Sequence, residues 1–181
     1  MLNKFFLFSI ILFLASCLDN STSDTSMETS PFFDLKEYFS QELERLADKK
    51  NVTKKAIYNG KEETKIIDNP DFSNELIIFS NADINRTAWL DKYSIDSTFN
   101  KQQKLKTIDY LALDEKLKTK SISVEFENNI VSSIEIITAG NSAISQTENH
   151  LTYSPTKGYS IKSKQDVQFV SESDINIQVI F

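Results

Sequence analysis

The tail "DINIQVIF" constrains the fold of this chain more than any other stretch. Ile175, Ile177, Val179 and Phe181 alternate with Asp174, Asn176 and Gln178. Alternation with period two sends successive side chains to opposite faces of a strand, here one apolar and one wetter. Strands of that kind belong to antiparallel sheets, because parallel strands are covered on both faces and read as continuous apolar runs. The pattern reaches Phe181, so the carboxyl end is expected to be built into the sheet. The same period recurs in "SISVEF", where Ile122, Val124 and Phe126 alternate with Ser121, Ser123 and Glu125, and "IVSSIEII" follows after the turn-forming "ENN". Further candidate strands are "LKTIDYLAL", "HLTYS" and "GYSIKS", the last two joined across "PTK" as a hairpin.

Upstream the period lengthens. In "SPFFDLKEYFSQELERLADKK", Leu35, Phe39, Leu43 and Leu46 recur at helical spacing, with Ser30 and Pro31 suited to the first turn and Lys49 and Lys50 to the carboxyl end of the dipole. "NPDFSNELIIFSNAD" repeats the device with Asn69 and Pro70, then Phe72, Leu76 and Phe79 on one face, which predicts a second helix ending near Ala82. Between them "VTKKAIYNGKEETKII" centres on Asn59-Gly60, a pair that accepts the positive φ angles of a two-residue hairpin turn. Its charged arms suit an edge that resists pairing with other chains. The chain holds only three glycines and three prolines, and Pro31, Pro70, Gly60 and Gly158 all fall at predicted boundaries. The expected fold is α+β: two N-terminal helices with an intervening β-hairpin, packed on a curved antiparallel sheet of six to nine strands, in a single domain over residues 31–181.

Residues 1–16 read as a secretory signal, with Lys4 as basic start, an apolar run from Phe5 to Leu14 and small residues after it. Ten helical residues reach only about half of the ~30 Å hydrocarbon core, too short for a lasting span. Leu14-Ala15-Ser16-Cys17 resembles the lipobox of bacterial lipoproteins, in which the signal is cut before the cysteine and that cysteine carries the lipid. Cys17 is the chain's only cysteine, so it is expected as a lipid attachment point bearing palmitate or another acyl chain, and no internal disulfide forms. Several acyl chains bind a membrane durably. Leu18–Ser30, "LDNSTSDTSMETS", is poor in apolar residues and reads, with the lipidated cysteine before it, as a flexible tether over residues 17–30. It spans about 20 Å root-mean-square and roughly 45 Å at full stretch. Removing residues 1–16 leaves 165 of the 181 residues and takes away Lys4 but no acid, so the net charge of −6 becomes −7. An acidic surface repels phosphate backbones, which argues against a nucleic-acid partner.

The stretch "ELIIFSNADINRTAWLDKYSID", in which Ala82-Asp83-Ile84-Asn85 precedes Trp89, together with the lipobox, resembles small uncharacterised lipoproteins of Bacteroidota-type bacteria. The likeness covers about half the chain. It implies a place in the cell envelope, lipid-anchored and expected at the outer membrane, and carries no functional residues over to this sequence.

Composition excludes several chemistries. With Cys17 lipidated, the rest of the chain offers no thiol and one imidazole, His150, whereas zinc and copper sites gather several nitrogen or sulfur ligands. Asp83 and Asn85 begin like a calcium loop but lack its glycine and place Ser94 where the bidentate acid belongs. They are expected as polar groups that terminate the second helix. No Gly-x-Ser-x-Gly elbow or glycine-rich phosphate loop occurs. His150 lies between Glu148 and Thr152, within sequence reach of Ser145 and Ser154, in a setting more typical of a bland surface histidine. Glu62 and Glu63 are adjacent on a strand and so point to opposite faces. No cofactor and no catalytic activity are expected.

Trp89 and Tyr93 are four residues apart, which on a helical turn sets both on one side beside Arg86. The trio is a candidate partner contact, although with so many aromatics in the chain the favoured reading is that Trp89 plugs the gap between the second helix and the sheet. Asp96-Ser97-Thr98 resembles the short acidic-hydroxyl motif that some Bacteroidota-type bacteria O-glycosylate. The expected role is a membrane-anchored, non-catalytic binding or scaffold domain for another envelope protein. The alternative is a carrier of lipid or another apolar ligand, held between helices and sheet.

Overall fold

The computed structural model describes residues 30–169 and 172–181. The signal segment, Cys17 and all of the tether except Ser30 lie outside the described residues. The chain runs α1 (Leu35–Leu46), β1 (Asn51–Tyr58), β2 (Lys61–Asp68), α2 (Phe72–Ser80), a single 3₁₀ turn (Thr87–Trp89), then β3 (Tyr93–Phe99), β4 (Leu105–Ala112), β5 (Thr119–Glu127), β6 (Ile130–Asn141), β7 (Ser145–Ser154), β8 (Gly158–Val167) and β9 (Ser173–Ile180). The fold is α+β with one nine-stranded sheet, open at both ends, in the order β2-β1-β9-β8-β7-β6-β5-β4-β3. Every neighbouring pair is antiparallel.

From β3 to β9 the chain meanders, each strand beside the one before it, and β1 then joins the far side of β9. The tail strand is therefore an interior strand, flanked by β1 and β8. Turn chemistry fits: Asn59 and Gly60 take φ of 47° and 79°, and Asn128 and Asn129 take 52° and 66°, so both two-residue connections use the left-handed region that asparagine and glycine tolerate best. Gly158 has φ of 123°, and a Cβ there would sit 1.9 Å from the Val179 carbonyl oxygen. The start of β8 can press this closely on β9 only without a side chain.

Two apolar rows cross the sheet on its helix-bearing face. One runs Ile95, Tyr110, Ile122, Ile136, Leu151, Ile161, Ile177, Ala56 from β3 to β1. The next includes Ile108, Val124, Ile134, Tyr153, Tyr159 and Val179. Helix α1 buries Leu35, Phe39 and Leu46, and α2 buries Phe72, Leu76 and Phe79. Phe39 and Phe79 pack on each other at 5.2 Å between centroids, Phe39 on Tyr153 at 5.0 Å and Phe79 on Tyr159 at 6.0 Å. Ile122, Val124, Ile134 and Ile136, all buried, belong to the same core cluster, with Phe126 half-buried at its margin.

Both helices begin later than the prolines suggest. Asp34 caps α1 by accepting from the Glu37 amide at 2.8 Å, and Ser30 instead donates to Asp34. The reason is tertiary: the amides of Phe32 and Phe33 are drawn to Asn85 Oδ1 (3.1 Å) and the Tyr110 hydroxyl (2.9 Å), which keeps this segment out of the helix. Asp71 caps α2 by accepting from Asn74, while Asn69 (φ 49°) turns the chain out of β2 and donates to the Lys50 carbonyl. Asp83 and Asn85 do not terminate α2. Asp83, 3% exposed, accepts from the Leu35 amide at 3.1 Å and from the Asn85 amide and side chain, and so fastens the start of α1 to the end of α2.

Candidate functional site

The sequence trio is split between surface and core. Arg86 is exposed and lies over the Trp89 ring, 4.3 Å from Cζ to the centroid. Trp89 is half-buried at the end of the 3₁₀ turn, and Tyr93 is not on a helix with it: it is the first residue of β3, 5% exposed. The two rings are 6.4 Å apart, and the Tyr93 hydroxyl donates to the Thr119 carbonyl at 2.9 Å. Burial pushes the Tyr93 phenol up to about 12. Arg86 and part of the Trp89 ring thus lie at the surface, while Tyr93 belongs to the core.

His150 lies in mid β7 on the sheet face turned away from the helices, where its Nε2 is hydrogen-bonded to Glu135 Oε1 of β6. Ser145 and Ser154 are five and four residues away along the same strand, about 13 Å or more. Ser154 donates to the Ser132 carbonyl. Histidine and serine are thus too far apart for proton transfer to a nucleophile. Glu62 and Glu63 pair with Lys55 (2.9 Å) and Lys65 (2.7 Å). Among the described residues, no three His, Asp or Glu side chains gather as metal ligands.

Two groups of polar residues escaped the sequence reading, and both fasten a helix to the sheet. On α1, Glu42 accepts from Arg45 Nε and Nη2 (2.7 Å for the latter) and from the Tyr153 hydroxyl, while Arg45 also donates to the Pro155 carbonyl at 3.0 Å. On α2, Glu75 accepts from the Tyr159 hydroxyl and pairs with Lys54 at 3.0 Å. Tyr153 and Tyr159 are direct cross-strand partners. Burial, and then the hydrogen bond to the adjacent glutamate, pushes both phenols far above the ordinary range. The hydrogen bond to Glu42 holds the Arg45 guanidinium charged. Each carboxylate has a cation and a donor, so the charge is satisfied at the edge of the core. Alternate apolar positions announce helix faces; nothing local announces that Glu42 will meet a tyrosine 111 residues away.

Surface depressions open at strand ends. One is lined by Gln146, Thr147, Glu148, Lys164, Asp166 and Glu172, another by Glu127, Asn128, Ser154, Pro155 and Lys157 among others. No described helix is long and apolar enough to cross a membrane. The two end strands differ in composition: β2, "KEETKIID", carries five charges in eight residues, whereas β3, "YSIDSTF", carries only Asp96 in seven. Compared with family models, curated proteins and solved structures, the chain matches none of them.

Proposed function

We propose that this chain is a lipid-anchored protein of the cell envelope whose folded domain binds or scaffolds another envelope protein and performs no chemistry of its own. What carries the reading is how the apolar surface is distributed. The layer between helices and sheet is packed with the side chains of Phe39, Phe79, Ile122, Val124, Ile134 and Ile136, which favours binding at the surface over a greasy internal pocket. Apolar side chains meanwhile stand in solvent on both end strands of the sheet, Ile95 55% and Phe99 57% exposed on β3 and Ile66 73% on β2, where the charges of the strand surround it. Cys17, preceded by Leu14-Ala15-Ser16, supplies the anchor, and the tether lets the domain stand clear of the headgroups, at the outer membrane in the first instance.

Cell fractionation and labelling with radioactive palmitate test the anchor together. The wild type is expected to take up label and sediment with membranes, and Cys17→Ser to do neither. A Cys17→Ser chain that still partitions with the membrane fraction overturns this reading.

A further inference from the structure

We infer that β3 is a docking edge that accepts an extended strand from a partner, and that this strand carries a basic residue opposite Asp96. The inference deepens the scaffold reading and rests on it. An antiparallel edge presents alternate backbone amides and carbonyls to solvent, and natural sheets guard such edges with charges. The β2 edge is guarded, with Lys61, Glu62, Glu63 and Lys65 along it and two of the acids in ion pairs. The β3 edge is not: six of its seven residues are exposed and one is charged.

Three observations specify the occupant. The Lys92 carbonyl accepts from the Leu113 amide, so alternation directs the backbone of Ser94, Asp96 and Thr98 to β4 and leaves that of Tyr93, Ile95 and Ser97 facing outward. These outward groups are the template for an added strand. Second, the apolar row that crosses the sheet ends at Ile95 on β3, 55% exposed, whereas on β2 it ends at Glu63, the cross-strand partner of Ala56. A residue opposite Ile95 continues the row and is therefore apolar. Third, on the other face Asp96 stands directly opposite Asp109, a like-charge pair with no lysine or arginine bridging either carboxylate among the described residues. Asp109 accepts from Ser123, and Asp96 Oδ1 accepts from the Ser97 amide at 2.9 Å. That last bond covers one outward donor while the edge is empty. A cation opposite Asp96 takes over the carboxylate and frees the Ser97 amide for the incoming strand.

The same acid argues against a second copy as occupant. Asp96 is the middle residue of β3, so two β3 strands pairing antiparallel with full overlap set Asp96 against Asp96, flanked by both Asp109 residues. Like charges directly opposite are destabilising. A different chain with an apolar residue next to a basic one removes the conflict.

The test uses the full chain in detergent and a blocked peptide of alternating valine and threonine, with lysine at the position opposite Asp96. A twin peptide carries glutamate there. Binding is read by fluorescence anisotropy, with self-association followed by sedimentation. The lysine peptide is expected to bind at least about fivefold more tightly than the glutamate peptide. Asp96→Lys, at an exposed position, is expected to reverse the preference with its circular dichroism unchanged. Equal affinities, no binding of either peptide, or self-association that persists unchanged in Asp96→Lys would each overturn the inference. Loss of membrane partition in Cys17→Ser alongside a silent peptide assay removes the edge and keeps the anchor, so the two readings fail separately.

Discussion

Asp83 shows at the scale of one residue how local pattern and tertiary role diverge. Its carboxylate takes the first free amide of α1 together with two donors from Asn85, while Asn85 reaches the Phe32 amide and the Phe33 carbonyl. A negative group at a helix start is favoured by the dipole, and hydrogen bonds to a charged acceptor are the stronger kind. Asp83→Ala leaves the buried Leu35 amide without a partner and takes an acceptor from Asn85. It is expected to lower the unfolding free energy by about 2–3 kcal/mol, read from urea denaturation with an unchanged slope, and Asp83→Asn by less because its oxygen still accepts. From sequence, Asp83 and Asn85 are legible as polar groups just past a helix. Their true target is Leu35, 48 residues earlier, and no local spacing encodes a contact that the packing of two helices creates.

At the scale of elements, β9 carries the greatest burden. It lies between β1 and β8, contributes Val179 and Ile177 to the two apolar rows, and is the sole neighbour through which the β1–β2 hairpin joins the meander. Phe181, just past its end, packs edge-on to Phe72 of α2 at 5.7 Å and lies 5.9 Å below the Arg45 guanidinium. Deleting residues 174–181 therefore detaches a hairpin and uncovers the core together. The truncated chain is expected to show no cooperative melt and rapid proteolysis; a thermal transition equal to that of the full chain would contradict this placement. The role of this strand was legible because its alternation runs unbroken to Val179 with matching polar partners. β3 was not legible. "YSIDSTF" has a serine and an aspartate where a buried strand would be apolar, and the spacing of Trp89 and Tyr93 imitates a helical turn. A strand that is exposed at six of seven positions lacks the one-sided burial that makes alternation visible, and this follows from its place at the edge of the sheet. The helix starts slipped for a related reason: Pro31 and Pro70 mark the turns before α1 and α2, while Asp34 and Asp71 do the capping.

For the molecule as a whole, the tyrosines set the limit of stability in alkali. Of six tyrosines, Tyr38, Tyr93, Tyr110, Tyr153 and Tyr159 have phenols pushed upward, in every case chiefly by burial. Nearby carboxylates add to the effect, Glu42 at Tyr38 and Tyr153 and Glu75 at Tyr159. A phenol in the unfolded chain releases its proton near pH 10, whereas these five keep theirs, Tyr93 up to about 12 and the two glutamate-bonded phenols beyond it. Above pH 10 the unfolded chain thus binds fewer protons than the folded one, and stability falls as pH rises; below pH 9 the same groups contribute no slope. Each phenol that stays protonated where the unfolded chain's ionises removes at most about 1.4 kcal/mol per pH unit, so the strongly shifted ones together remove a large part of a typical domain's stability above pH 10. Phenolate absorbance and far-ultraviolet circular dichroism, followed together from pH 8 to 13, should therefore show five tyrosines ionising in one steep step that coincides with loss of the sheet. Ionisation of these five in separate steps with the sheet signal intact would mean that the phenols are not buried between helices and sheet in solution, and with that would go the account of how α1 and α2 pack on the sheet.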